Sequence, residues 1–285
     1  MRMEQNTHTH TPGRFQPHHR FNLIDTDGFK HLEQKYASEW TARMDTLFNQ
    51  LVVLKNPTDK KITVKRSIDS TRYSKPGQLK LKKKIYERLG TYPGENGILL
   101  TLTMAGLDSD QSGYEGTSRL VAWRGFGYRT RAFMDRVNKL RQARGLSRVK
   151  RYIKVLEDQK GRSYPCPHIW FPGLKWLAKV EDIQRLWPYG NVDISFIENT
   201  TPANYIIKYI AKMEGREFMH VMIWHYRLRL FSTSRGFRYI YKDKTDSGWR
   251  FHSSADRFRT AENIDLLLAD GYSVEPSELI QPRGS

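Results

Sequence analysis

The stretch RYIKVLEDQKGRSYPCPHIWF (residues 151–171) contains two runs rich in β-branched and aromatic residues, separated by the polar segment DQKGRS. Strands are commonly bounded by polar, glycine-containing turns of this kind. Residues 151–157 and 164–171 are therefore predicted to form two consecutive strands. The elements on either side of this pair decide which fold it belongs to.

Regular patterns flank the strand pair on both sides. Towards the N-terminus, GILLTLTM (97–104) is predicted to be a strand, and apolar spacing predicts a helix around residues 127–144. Towards the C-terminus, the predicted elements are a helix over 176–187, a half-buried strand over 191–198 and a helix over 201–213. The order β-α-β-β-α-β plus one helix predicts an α+β fold: a ferredoxin-like or RRM-like split βαβ core with a central antiparallel sheet.

The remaining sequence is predicted to extend this core. Residues 1–93 combine a flexible, histidine-rich tail with helical spacing over 27–55 and the basic run LKLKKKIYERL (79–89). A solvated helix face and a phosphate-contacting arm are both consistent with that run. We therefore divide the chain into an N-terminal tail and basic helical extension (1–93), a core domain (94–240) and a C-terminal extension (241–285), for which docking and DNA contact are both open.

The composition indicates a polyanionic partner. Lys and Arg total 48 against 30 Asp and Glu, which gives a formal net charge of +18. Such an excess favours nucleic acid or an acidic membrane surface as partner. The sequence has no apolar run of about 20 residues and no apolar signal segment, so we expect a soluble, cytoplasmic protein without a membrane partner. Cys166 is the one cysteine, which excludes an intramolecular disulfide framework and a cysteine-cluster zinc site.

The helix predicted over 201–213 carries the residues best suited to chemistry. At about 100° per residue, one sector of the helix collects two phenols and two ammonium groups, and the other side collects apolar residues. We expect the apolar side to face the sheet and the phenols to point away from it. A nearby cation lowers a tyrosine pKa and favours attack by the phenolate, although packing or surface roles are the commoner use of such tyrosines. The polar set is Tyr205, Lys208, Tyr209 and Lys212, and the apolar set is Ala203, Ile206, Ile207 and Ile210.

The second strand of the central pair offers an electrophilic partner for these tyrosines. Cys166, His168 and Trp170 alternate along it and share one face if the strand is regular. Glu157 ends the neighbouring strand and is expected to lie close by. A histidine with a carboxylate begins a divalent cation site that polarises a phosphate, whereas a lone strand histidine is more often structural.

These motifs together resemble the HUH endonucleases, in particular the two-tyrosine rolling-circle replication initiators of plasmids and viruses. ILLTLTM (98–104) is similar to the first-strand motif, and PHIW (167–170) with Glu157 is similar to the metal-binding strand. YIIKYIAK (205–212) is similar to the two-tyrosine nucleophile motif, and LRLFSTSRG (228–236) to a strand-like segment that follows it. The resemblance covers residues 97–212 in family order.

The resemblance implies DNA nicking and rejoining by tyrosine transesterification. Tyr205 or Tyr209 would form a 5′-phosphotyrosine with single-stranded or extruded origin DNA, while Lys208 and Lys212 would offset charge. Mg²⁺ or Mn²⁺ would be held by His168 and Glu157. No GxxxxGK[ST] phosphate loop is present in the sequence, so unwinding would need a separate helicase.

Trp170 departs from the family pattern, because it stands where the family has a second histidine and an indole has no lone pair for a metal. Three readings follow: a further ligand such as Asp158 or Cys166, weak metal binding, or a degenerate relative that binds DNA without cutting it. Beyond these, the alternatives are a non-catalytic single-stranded nucleic-acid-binding protein on the same fold, an HUH transposase or relaxase, and a structural basic protein that coats nucleic acid.

Overall fold

The computed structural model describes residues 27–106, 117–159, 161–213, 215–237 and 249–275. The histidine-rich tail predicted at the N-terminus lies outside these residues. The described part of the chain folds into seven α-helices and two sheets. In chain order the elements are α1 (Asp27–Asn49), β1 (Leu51–Asn56), β2 (Lys61–Arg66), α2 (Lys75–Leu89), β3 (Glu95–Leu102), α3 (Arg119–Ala143), β4 (Ile153–Asp158), β5 (Pro165–Pro172), α4 (Val180–Leu186), β6 (Val192–Thr200), α5 (Pro202–Ala211), α6 (Glu217–His225), β7 (Phe231–Thr233), β8 (Arg250–Ala255), α7 (Arg257–Ala269) and β9 (Ser273–Val274).

The larger sheet confirms the predicted fold class. Its strand order is β6-β3-β5-β4-β7, and every neighbouring pair is antiparallel. The first four strands have the order of a split βαβ unit, in which α3 connects β3 to β4 and α4 connects β5 to β6. The short strand β7, within the segment that resembles the family's later motif, adds a fifth strand beside β4.

The helix α3 is longer than its apolar spacing predicts. It begins at Arg119, where the Ser118 side chain accepts a hydrogen bond from the Val121 amide and caps the helix. Two glycines in its first turns make that part resemble a loop in sequence. Burial of Trp123 and Phe126, which are 0% and 2% exposed, holds the segment in the helix.

The smaller sheet was not predicted. Its order is β8-β1-β2-β9, so strands of the N-terminal and C-terminal extensions pair with each other. The helix predicted over residues 27–55 is wrong at its end, because α1 stops at Asn49 and Leu51–Asn56 form a strand. Pairing on both sides of β1 fixes this β-branched stretch as a strand. The C-terminal extension therefore docks on the N-terminal hairpin, which answers one of the two possibilities left open for it.

The N-terminal helix α1 is held to the core by a buried ion pair. The Glu33 carboxylate accepts hydrogen bonds from the guanidinium of Arg119, the first residue of α3, at 2.6 and 2.9 Å. No helix among the described residues is both long and apolar enough to cross a membrane. The basic run 79–89 falls on α2, whose Tyr86 hydroxyl donates to Asn204 of α5 over 2.9 Å.

Candidate active site

The helix α5 forms where its sequence predicts it. The Thr201 side chain accepts a hydrogen bond from the Asn204 amide, and Pro202 occupies the first turn. Both features favour a helix start, because the cap satisfies an otherwise orphaned amide and proline already has a helical φ. The helix lies against β4 and also against α2. It therefore buries more than one of its sides.

The predicted orientation of the two tyrosines is wrong. Tyr205 and Tyr209 are 3% and 5% exposed, and their rings face β5 instead of pointing away from the sheet. The Tyr205 ring centre lies 5.2 Å from that of Trp170, and the Tyr209 ring centre lies 4.8 Å from that of His168. Because α5 is covered on two sides, its apolar residues and its tyrosines are buried together. The correction brings the tyrosines closer to His168 than the expected orientation would have placed them.

The predicted lowering of the tyrosine pKa is also wrong. Burial raises the pKa of Tyr209 to about 12 and raises that of Tyr205 well above its usual value. The Lys212 and Lys208 ammonium groups lie 4.9 and 5.9 Å from the centre of the Tyr209 ring, but both side chains are exposed and do not outweigh desolvation. Both phenols are therefore protonated at neutral pH. The buried Tyr205 hydroxyl lies beside Tyr209 but has no hydrogen-bond partner of normal geometry within the described part of the chain.

Glu157 and His168 lie together, as the sequence predicts. His168 Nε2 is 3.0 Å from a carboxylate oxygen of Glu157, and its Nδ1 is 3.0 Å from the hydroxyl of Thr101. The strand register explains this, because His168 pairs with Thr101 on β3 and Glu157 pairs with Cys166 on β5. Directly paired residues project to the same face of a sheet. Burial alone would raise the pKa of Glu157, but the hydrogen bond from His168 and the charge of Lys212 outweigh burial and lower it.

Two cations surround the Glu157 carboxylate. The ammonium of Lys212 lies 3.2 Å from it and the guanidinium of Arg216 lies 3.7 Å from it. Arg216 also binds Asp158 over 2.7 Å. Sequence reasoning missed Arg216, which follows α5 outside any motif, and gave no separate role to Thr101, although it lies within the TLT segment. The segment ILLTLTM was the one signal that pointed to Thr101.

The side chains at this point fit a divalent cation only in part. Two ligands at right angles on an ion with bonds of ~2.1 Å are separated by about 3 Å, which is the spacing of the Glu157 and His168 donor atoms. Thr101 is placed to accept the Nδ1 proton of His168, and that tautomer leaves Nε2 free for a metal. Among the described residues, however, no group of three or more His, Cys, Asp or Glu side chains is arranged to hold a metal ion.

Neither expected third ligand is available in this arrangement. Asp158 is engaged by Arg216. Burial raises the pKa of Cys166 to about 12, so its side chain is a thiol, and its sulfur lies 3.9 Å from His168 Nε2. Trp170 is fully buried over Gly97, where a methyl group would come within 2.8 Å of the indole nitrogen. The absence of a side chain at Gly97 makes room for this indole in the family's histidine position.

The same face of the sheet is open to solvent on the other side of His168. Thr101 pairs with Asp193 of β6, and Leu99 pairs with Ser195, so these side chains continue the face across β3 and β6. Asp193 and Ser195 are exposed. A substrate therefore has access to His168 from the β3–β6 half of the sheet, which α5 leaves uncovered.

The region that contains these residues matches a known family. Residues 98–214 match a family model described as replication-associated protein, ORF2 type. The match runs from β3 to just beyond α5 and includes both tyrosines, both lysines, Glu157 and His168. It indicates a DNA replication protein and is consistent with a rolling-circle replication initiator. A search of curated proteins gave no match.

Proposed function

We propose that this protein nicks and rejoins single-stranded origin DNA through a tyrosine, and so starts and ends rolling-circle replication. The observation that carries the proposal is the contact between Tyr209 and His168, whose ring centres are 4.8 Å apart beside the Glu157 carboxylate. The match of residues 98–214 to a replication-associated family supports it. This combination corresponds to the two-tyrosine HUH endonucleases that the sequence resembles.

The proposed reaction exchanges one phosphodiester for another. The Tyr209 oxygen attacks the scissile phosphorus and loses its proton, while the bond from phosphorus to the 3′-oxygen breaks and that oxygen gains a proton. The products are a 5′-phosphotyrosine and a free 3′-OH that primes synthesis. The reverse reaction rejoins a strand without ATP, because the covalent link keeps the phosphodiester energy.

We assign the first cleavage to Tyr209 and the strand transfer at termination to Tyr205. Tyr209 lies next to His168 and between the exposed Lys208 and Lys212, whereas Tyr205 packs on Trp170. The two lysines would offset negative charge on the pentavalent phosphorus. Since both phenols are buried, α5 has to shift for either oxygen to reach DNA.

Mg²⁺ or Mn²⁺ is the proposed cofactor, held by Glu157 and His168 with water and phosphate oxygens completing its shell. A bound divalent cation polarises a non-bridging phosphate oxygen. Lys212 would exchange its contact with Glu157 for a contact with the phosphate. Unwinding of the duplex is assigned to a separate helicase.

One alternative has an observation in its favour. A non-catalytic single-stranded DNA-binding protein on the same fold would explain why both tyrosine hydroxyls are buried and why Trp170 replaces a ligand. Such a protein would bind origin DNA without a covalent product.

Covalent capture separates the two functions. The protein is incubated with labelled single-stranded oligonucleotides and Mn²⁺ or Mg²⁺, and a shifted species is sought that survives denaturant and disappears on proteolysis. We expect Tyr209→Phe to abolish the adduct, Tyr205→Phe to retain it, and the double variant to bind DNA with nearly unchanged affinity. A double variant that still nicks refutes the tyrosine assignment, and a wild-type protein that binds without forming an adduct supports the alternative.

The metal assignment has its own test. We expect His168→Ala to slow cleavage and added Mn²⁺ to restore part of the rate. A variant with the wild-type dependence on metal removes His168 from the site.

A further inference from the structure

A cavity of about 720 Å³ lies between α2 and the segment 228–231, outside the tyrosine site. Its charged lining comes from three separate parts of the chain: the turn before α2, α2 itself and the segment that leads into β7. The cations are Arg72, Lys80, Lys83, Lys84 and Arg229, and Glu87 is the acidic residue of the lining.

The positive charge in this cavity is not neutralised internally. Lys80 donates to the backbone carbonyl of Asp69 over 3.0 Å, and Arg72 donates to the Tyr73 hydroxyl over 3.1 Å. Within the described residues, none of the five cations forms an ion pair with a carboxylate. Five like charges held around one concave surface repel each other, and a polyanion relieves that repulsion.

The cavity also has an apolar wall. Leu81, Leu228, Leu230 and Phe231 line it together with the cations. A groove that combines cations with apolar and aromatic surface suits single-stranded nucleic acid, because the cations meet phosphates while the apolar groups meet bases and sugars. A duplex keeps its bases stacked inside and has no use for such a wall.

The cavity lies next to the tyrosine site. The Leu156 amide donates to the Leu230 carbonyl over 2.8 Å, and Leu156 directly precedes Glu157. On the other wall, Tyr86 of α2 is hydrogen-bonded to Asn204 of α5. A strand bound at Glu157 and Tyr209 therefore has the cavity beside it. The helix α2 lies outside the region matched by the replication-associated family, which starts at residue 98.

We propose that this cavity binds the phosphate backbone of single-stranded DNA that flanks the nicked phosphate. The inference rests on the proposed function for the identity of the polymer and for its path. It assigns the basic run of α2 to a phosphate-contacting surface and adds Arg72 and Arg229, which are distant from that run in sequence.

The test measures binding of a fluorescein-labelled thymidine homopolymer by anisotropy over a series of salt concentrations. We expect Lys83→Gln/Lys84→Gln to weaken binding on the order of tenfold at low salt. The slope of log K against log salt should fall by about 1.4, since each phosphate contact with a single strand contributes about 0.7. Arg229→Gln should lower the slope by about 0.7 from the opposite wall.

Lys82→Gln is the matched control, because Lys82 lies on the same helix and carries the same charge but does not line the cavity. It should leave the slope close to that of the wild type. Equal effects of Lys82→Gln and Lys83→Gln would reduce the cavity to diffuse surface charge and overturn the proposal. Equal binding of a duplex, with the same sensitivity to the variants, would overturn the preference for single strands.

Covalent capture keeps this result separate from the proposed function. At saturating oligonucleotide, the cavity variants should form the tyrosine adduct as the wild type does. A wild-type protein without an adduct contradicts the nicking function, whereas the salt slopes decide the cavity by themselves.

Discussion

The hydroxyl of Thr101 offers a sharp test of how His168 is held. Thr101→Val keeps the shape of the side chain and removes the one atom within hydrogen-bond distance of His168 Nδ1, at 3.0 Å. Without that partner, the imidazole loses the contact that fixes its tautomer and its ring orientation. Nε2 is then no longer held at 3.0 Å from Glu157.

The expected magnitude follows from two independent scales. A side-chain hydrogen bond contributes about 0.5–1.5 kcal/mol net, which corresponds to a factor of roughly 2 to 13. Loss of a partner that orients a metal-ligating histidine costs about 10- to 100-fold in metal affinity or activity. The ranges meet at about tenfold, so the Mn²⁺ concentration that gives half the maximal rate of adduct formation should rise by about that factor.

The assay is single-turnover adduct formation against Mn²⁺ concentration, with thermal unfolding of each variant measured in parallel. Thr101→Ser is the matched control, because it keeps the hydroxyl and should stay close to the wild type. A valine variant with the wild-type Mn²⁺ dependence would refute the role assigned to Thr101. Equal losses in the valine and serine variants would point to packing instead.

Three further predictions concern stability. Burial lowers the pKa of His220 from 6.5 to about 4, so the folded state stays neutral while the unfolded state gains a proton. Up to ~3 kcal/mol of stability should therefore be lost as the pH falls from about 6.5 towards 4, and urea unfolding of His220→Phe should show a flatter acid dependence, which an unchanged slope would contradict. Glu33→Gln removes the charge partner that Arg119 has at 2.6 Å in a buried setting and should cost about 2 kcal/mol in the free energy of unfolding; a loss below about 0.5 kcal/mol would count against the ion pair. Tyr205→Phe removes a buried hydroxyl and should leave the free energy of unfolding unchanged or raise it by up to ~1 kcal/mol, so a large loss would reveal a partner for that hydroxyl.

The N-terminal and C-terminal extensions show where sequence reasoning fails on the fold. Leu51 continues the helical spacing of α1, but β1 is decided by pairing with β2 and with β8, about two hundred residues away in the chain. No local pattern carries that information. The core elements behave differently, because each strand from β3 to β6 has a run of β-branched residues bounded by its own turn signals.

The candidate site divides in the same way. The local sequence determined the split βαβ order, the cap of α5 at Thr201 and the placement of His168 and Glu157 on neighbouring strands, since these depend on period, turn and register. Only the tertiary structure decided that Tyr205 and Tyr209 face the sheet, because the orientation of a helix depends on everything that packs around it, including α2 from a distant part of the chain. The same burial sets the tyrosine pKa values, since desolvation outweighs two exposed lysines whose charges are visible in the sequence.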